Sequence, residues 1–223
     1  MAELIALPEV ARVRDNLERV RERIERAARE AGRDPAAVQV LAATKYVAVE
    51  DLPTLAQAGV TLAGENRAQD LQAKVAAHGN LFEWDFIGQL QSRRVRAIVP
   101  HVRLVHSVAS DSALRELERH RESARPGLRI LIEVNVAREP GKAGVLPEQL
   151  DDFLARAPVP VAGLMTMPPL AADPEESRRW FAALRELAHA RGLRELSMGT
   201  SQDYPVAVGE GATIVRIGAS LFS

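Results

Sequence analysis

Eight short apolar runs alternate with helical segments along the whole chain, and no long linker or low-complexity segment interrupts them. Strands separated by helices pair in parallel, as in repeated βαβ units. The runs lack a clean alternation of apolar and polar residues, which indicates strands that are covered on both faces. They lie at Val38–Thr44, Val60–Ala63, Trp84–Gly88, Arg103–Ser107, Leu128–Val136, Val159–Met167, Leu193–Met198 and Thr213–Ile217.

Eight such units predict an α/β fold, a (β/α)8 TIM barrel formed by residues 1–223 as a single domain. An extra N-terminal helix is predicted ahead of it, because apolar residues recur every three or four positions from Val10 to Ala27. The alternative is an open doubly wound sheet. We prefer the barrel because the G-x-G-x-x-G turn typical of that alternative is missing after the first run.

Composition excludes several classes of function. The net charge of -1 argues against a nucleic-acid partner, since neutralising phosphates requires a basic excess. The absence of cysteine excludes disulfides, thiolate metal sites and cysteine nucleophiles. No apolar run approaches the ~18 residues of a membrane span, and the N-terminus lacks a signal-peptide layout. We therefore expect a cytoplasmic protein without a membrane or metal partner.

The 29 basic residues include only three lysines, Lys45, Lys74 and Lys142. Lys45 directly follows the first apolar run, and the carboxyl ends of barrel strands carry the reactive residues in this fold. Partial burial of an amine there favours its neutral form, which attacks carbonyl groups. The alternative is a lysine whose ammonium reaches solvent at the barrel rim. The scarcity of lysine favours a Schiff-base residue, and Lys74 and Lys142 are expected to be surface charges.

A phosphate site is predicted beside it. Small and polar residues follow the seventh and eighth runs, at Ser197–Ser201 and Arg216–Ser220, where barrels of this type commonly bind phosphate. The alternative is a pair of ordinary turns rich in Gly and Ser. A carbonyl-reactive lysine near a phosphate site indicates a phosphorylated aldehyde, a description that pyridoxal 5'-phosphate (PLP) meets.

These residues resemble motifs of the pyridoxal phosphate homeostasis proteins, a PLP-binding family, and the resemblance covers nearly the whole chain in family order. The matching segments are Leu41–Lys45, Gly64–Arg67, Trp84–Ser92, Glu133–Asn135, Lys142–Gly144, Gly163–Met167, Ser197–Asp203 and Val215–Gly218.

The resemblance implies a single barrel like the N-terminal domain of alanine racemase. It implies that Lys45 binds PLP as a Schiff base and that Arg216 faces the pyridine nitrogen. Ser201, Gly218 and the backbone N–H groups of Thr200 and Ala219 would hold the phosphate. Asn66 and Met165 complete the set of cofactor-binding residues that we predict.

The chain departs from the family pattern at three positions. Thr200 stands where the family usually has Met, Ala219 where Thr is frequent, and Asp85 where His is common. The missing hydroxyl at position 219 predicts that Ser201 and backbone donors carry more of the phosphate binding.

The resemblance implies a PLP carrier without a catalytic residue, which buffers the cofactor and supplies it to apo PLP-dependent enzymes. An arginine at the pyridine nitrogen weakens the cofactor as an electron sink, and 223 residues leave no room for a racemase's additional domain. Tyr46 adjoins Lys45 and is expected on the opposite face of the strand. We expect a monomer. The alternatives are a PLP-dependent amino-acid racemase, a cofactor-free Schiff-base aldolase, and a scaffold without a ligand.

Overall fold

A computed structural model describes residues 9–222, except for the side chain of Ala219. Eight strands in this part of the chain form a closed, all-parallel barrel in sequence order, which confirms the predicted fold class. They are β1 (Gln39–Ala43), β2 (Leu62–Glu65), β3 (Glu83–Phe86), β4 (Leu104–Val108), β5 (Arg129–Glu133), β6 (Val161–Met165), β7 (Glu195–Thr200) and β8 (Ile214–Ile217).

Helices follow the strands on the outside of the barrel, and one long helix precedes them. They are α1 (Val10–Glu30), α2 (Leu52–Gln57), α3 (Ala68–His78), α4 (Val95–Ile98), α5 (Asp111–Arg119), α6 (Leu150–Ala155), α7 (Arg178–His189), α8 (Tyr204–Gly209) and α9 (Ala219–Phe222). The predicted extra helix is therefore confirmed as α1. It packs on α8 and α9, and Asn16 Nδ2 donates a 3.2 Å hydrogen bond to the Leu221 carbonyl.

Apolar side chains pack on both faces of the strands, as their unbroken hydrophobic runs indicate. The larger cluster lies between the strands and the helices and includes Ala42, Val105 and Leu164. The smaller cluster consists of residues that alternate with these along the strands, so we place it inside the barrel. Its members are Leu41, Leu62, Leu104, Leu131, Met165 and Ile214.

Every strand differs from its predicted run by one to three residues at one or both ends, and two of these differences involve residues near the barrel mouth. β2 continues through Gly64 and Glu65, which the sequence places in a polar turn, and both residues are buried. β5 ends at Glu133 instead of Val136, because Val134 leaves the ladder and forms an isolated bridge with Val145.

Within residues 9–222, no helix combines the length and the apolar character needed to span a bilayer.

Candidate functional site

The predicted site residues lie at one mouth of the barrel, because parallel strands all end on the same side. They come from five consecutive strands of the closed sheet, β6, β7, β8, β1 and β2. In chain order they are Lys45 after β1, Asn66 after β2, Met165 at the end of β6, Thr200 and Ser201 at the end of β7, Arg216 and Gly218 at the end of β8, and Ala219 at the start of α9.

Lys45 lies in the turn that follows β1 and is half-buried. Its Nζ atom lies 4.6 Å from the centroid of the Tyr46 ring, a cation–π distance. The expectation that Tyr46 points away from Lys45 is wrong, since β1 ends at Ala43 and strand alternation does not apply in the turn. The amine and the ring therefore lie on the same side.

The other two lysines are bound to carboxylates. Lys142 forms an ion pair with Glu139 on a loop, and Lys74 forms one with Glu65. The expectation that Lys74 is a surface charge is wrong, because this residue is only 3% exposed. Among the described residues, Lys45 is thus the one lysine without a carboxylate partner.

Two backbone amides converge on one hydroxyl at the predicted phosphate site. Ser201 Oγ accepts hydrogen bonds from Gly218 N at 3.3 Å and Ser220 N at 3.4 Å. A Cβ atom built on Gly218 would lie 3.7 Å from Ala43 Cβ at the end of β1, so the space beside these amides adjoins the Lys45 strand. The arrangement offers donors to an anion from two neighbouring strand ends.

The predicted donor at Thr200 is engaged differently. Its backbone N–H donates to Asp203 Oδ1 at 2.7 Å, and its hydroxyl donates to the same oxygen at 3.2 Å. A phosphate contact at this amide therefore requires the Asp203 carboxylate to turn away. Ala219 begins α9, and its side chain lies outside the described residues.

Asn66 and Met165 differ in their availability to a ligand. Asn66 Oδ1 is buried and has no hydrogen-bond partner among residues 9–222, which leaves an acceptor free at the mouth. Met165 is 3% exposed and packs in the cluster inside the barrel. Its predicted contact with a cofactor is therefore apolar packing from below the mouth.

Arg216 is held rigidly inside the barrel. Its guanidinium donates to the Ser197 carbonyl at 2.9 Å, to Ser197 Oγ at 2.5 Å and to the Thr166 carbonyl at 3.1 Å, and it contacts Met167 Sδ at 2.8 Å. Burial lowers the pKa of Arg216 to about 10, and the charges of Asp203 and Glu133 oppose that effect. The side chain thus stays cationic at neutral pH.

Glu133, the last residue of β5, interacts electrostatically with Arg216. Burial raises the pKa of its carboxyl group, while the positive charges of Arg216 and Lys142 lower it. Since burial is the largest of these effects, the net direction is upward.

A chain of buried hydrogen bonds runs from Ser197, which accepts from Arg216, through His106 to Asp85. We call these three residues the relay. His106 Nδ1 lies 2.8 Å from Ser197 Oγ, and His106 Nε2 lies 3.0 Å from Asp85 Oδ2. Arg103 donates to both Asp85 oxygens, at 2.9 and 3.1 Å. Because a carboxylate only accepts, the imidazole carries its proton on Nε2, and Nδ1 accepts the Ser197 hydroxyl.

Sequence reasoning missed both this relay and the burial of Lys74. A signal for Lys74 exists, since Ala68, Leu71 and Lys74 are spaced by three and form the buried face of α3. No comparable signal exists for the relay, because the barrel alone brings together Asp85, His106 and Ser197 from β3, β4 and β7.

The chain matches a family model described as the N-terminal domain of alanine racemase over residues 11–223. This match and the closed barrel define the class of protein, a barrel of the alanine racemase N-terminal type. The chain is 40% identical to the pyridoxal phosphate homeostasis protein of Aquifex aeolicus, covering 93% of this chain and 96% of that protein. It is 38% identical to the protein of the same name from Pseudomonas aeruginosa, with 94% of each covered.

The structure of PipY from Synechococcus elongatus with PLP bound is 32% identical, with a TM-score of 0.74. The comparison covers 90% of this chain and 100% of PipY. The chain belongs to the pyridoxal phosphate homeostasis protein family.

Proposed function

We propose that this protein binds PLP as a Schiff base on Lys45 and carries the cofactor to apo PLP-dependent enzymes without transforming amino acids itself. One observation carries the proposal. The Lys45 amine and the two amides that converge on Ser201 Oγ lie at the ends of β1, β8 and β7, which are neighbours in the barrel. PipY, which has PLP bound, supports the choice of ligand.

The residues of the mouth fit the functional groups of PLP. Lys45 supplies an amine without a carboxylate partner among the described residues. Ser201, Gly218 and Ser220 supply donors for a phosphate, and Asn66 supplies an oxygen that has no partner within residues 9–222 for a polar ring substituent. The bound group would supply an aldehyde for the amine and an electron-withdrawing ring.

The carrier role, as opposed to catalysis, rests on Arg216. Its guanidinium is fixed by contacts to Ser197, Thr166 and Met167, and its pKa of about 10 keeps it charged. A cation that retains its proton does not protonate the pyridine nitrogen. With that nitrogen unprotonated, the bound ring would withdraw electrons only weakly and would stabilise carbanions poorly. We also propose a cytoplasmic monomer that meets apo-enzymes transiently.

An absorbance titration followed by a transfer assay tests the proposal. Added PLP is expected to give a visible chromophore with the unsubstituted protein and with Lys142→Arg, but not with Lys45→Ala. The loaded protein is then mixed with the apo form of a PLP-dependent enzyme, whose activity should recover. Free amino acids are supplied in a separate assay, where no turnover is expected.

Other outcomes overturn the proposal in recognisable ways. Racemisation of an amino acid that is lost in Lys45→Ala would identify an enzyme. Borohydride trapping of a sugar phosphate by a colourless protein would identify an aldolase. Absence of any response to PLP would leave a scaffold without this ligand.

A further inference from the structure

A buried ion pair adjoins the turn that carries Lys45. Lys74 Nζ donates hydrogen bonds to Glu65 Oε1 at 2.5 Å and to the Thr44 carbonyl oxygen at 2.7 Å. The Thr44 hydroxyl donates to the same Glu65 oxygen at 2.6 Å. Thr44 and Glu65 are fully buried and Lys74 is 3% exposed. These three residues, which we call the Lys74 cluster, join α3 to the ends of β1 and β2.

The Lys74 cluster reaches two site residues through the backbone. Thr44 directly precedes Lys45, and its carbonyl also accepts the Val47 N–H at 2.8 Å, which closes the turn. Glu65 directly precedes Asn66, whose backbone N–H donates to Glu65 Oε2 at 3.2 Å. One ammonium and one carboxylate therefore hold the backbone on which both site residues depend.

Stability alone does not account for such a pair. Removing two charges from water is costly, and well-packed apolar side chains often serve as well or better in a folded core. Apolar side chains, however, cannot bind the Thr44 carbonyl and hydroxyl at the same time. What the Lys74 cluster adds beyond packing is a fixed orientation of the turn.

We propose that Lys74 and Glu65 are positioning residues that fix the Lys45 turn, and with it Asn66, in the orientation needed to bind a phosphorylated aldehyde. This inference rests on the proposed function for its ligand. A binding group is effective when residues behind it lock its geometry, and this cluster is that support for Lys45.

The test uses the double variant Lys74→Met with Glu65→Leu in the full chain. Removing both charges together leaves no buried charge unpaired, so the fold is expected to survive. The control is Arg129→Met with Glu195→Leu, which removes a partly exposed ion pair between β5 and β7 at the opposite, amino-terminal end of the barrel. Thr44→Val, nearly isosteric, removes the hydroxyl that donates to Glu65 Oε1 at 2.6 Å and to the Gly64 carbonyl at 3.3 Å, and it leaves the ion pair intact.

Two readouts separate positioning from folding. The first is the dissociation constant for PLP, which is expected to rise roughly tenfold or more in the double variant, as when support for a binding group is lost. Thr44→Val is expected to raise it about two- to fivefold, because the lost hydroxyl is only part of the support for the turn. The second is amide hydrogen exchange without PLP, which should become faster at residues 44–47. The control should match the unsubstituted protein in both.

An unchanged dissociation constant and unchanged exchange in the double variant would overturn the inference, and so would equal changes in the control. If the double variant fails to fold, an unaltered dissociation constant in Thr44→Val would overturn it. If the unsubstituted protein does not bind PLP, the proposed function fails by itself. The exchange measurement then still decides whether the Lys74 cluster fixes the turn.

Discussion

Replacing His106 with Gln should make the stability of the protein depend differently on pH. Burial lowers the pKa of the His106 imidazole from its ordinary value of 6.5, against the hydrogen bond and the charge of Asp85, which raise it. Arg216 and Arg103 lower it further by repulsion. The ring is therefore neutral in the folded barrel at a pH where the unfolded chain already binds a proton.

The sign of the effect follows from proton binding. Below about pH 6.5 the unfolded state takes up a proton at this position and the folded state does not, so acid favours unfolding. The free energy of unfolding then falls by up to ~1.4 kcal/mol per pH unit. Between pH 6.5 and 5.0 this amounts to about 2 kcal/mol at most. At pH 8 the contribution vanishes, because both states are neutral.

The variant His106→Gln has no such titration. At pH 8 it should be less stable by about 1–3 kcal/mol, because one of two buried hydrogen bonds is lost. That corresponds to a melting temperature lower by roughly 2–12 °C. At pH 5 the deficit should shrink by up to ~2 kcal/mol, since only the unsubstituted protein loses stability at this position.

Urea unfolding followed by circular dichroism at pH 5, 6, 7 and 8 measures the difference in the free energy of unfolding between the two proteins. All other titrating groups are common to both proteins, so their effects cancel in this difference. A difference that stays constant with pH would show that the folded ring accepts a proton as readily as the unfolded one. A difference that grows as the pH falls would show an imidazolium paired with Asp85. Either result would refute the neutral relay.

Two further predictions concern the phosphate site and the barrel wall. Ser201→Ala removes the hydroxyl proposed to donate to the phosphate beside the Gly218 and Ser220 amides. It should raise the dissociation constant for PLP roughly tenfold to a hundredfold, the value of a hydrogen bond to a charged group, and an unchanged titration would contradict the site. Gly163→Ala should lower the free energy of unfolding by more than about 2 kcal/mol, because its Cβ would lie 1.7 Å from the Glu195 carbonyl oxygen of β7. The control Gly209→Ala should be tolerated, because its Cβ meets only Arg178 at 3.7 Å. Equal stability of the two variants in urea would contradict the prediction.

The fold was predictable because each strand is a short apolar run and each helix separates two of them. The errors occur where a contact distant in sequence decides the outcome. Glu65 reads as part of a turn, yet it continues β2 because Lys74 on α3 neutralises it inside the protein. Val134 reads as strand, yet it leaves β5 to pair with Val145.

The candidate site also has a part that the local sequence predicts and a part that depends on contacts distant in sequence. Lys45 and the segments that contain Ser201 and Gly218 could be proposed because strand ends and small residues mark them in the sequence, and the resemblance to the family singled out the individual phosphate-binding residues. The hydrogen bonds that hold Arg216 could not, since His106 and Ser197 are 91 positions apart and meet only across the barrel interior. The hydrogen bond from the Thr200 N–H to Asp203 depends on the conformation of the Asp203 side chain, which a sequence motif does not specify.

The most direct test of the central claim is the position at which borohydride fixes PLP to the protein. The loaded protein is reduced, digested and mapped by mass spectrometry over all three lysines. We expect the modification on Lys45 alone, because Glu65 binds Lys74 and Glu139 binds Lys142. Comparable modification of Lys74 or Lys142, or no stable adduct at any lysine, would contradict the account.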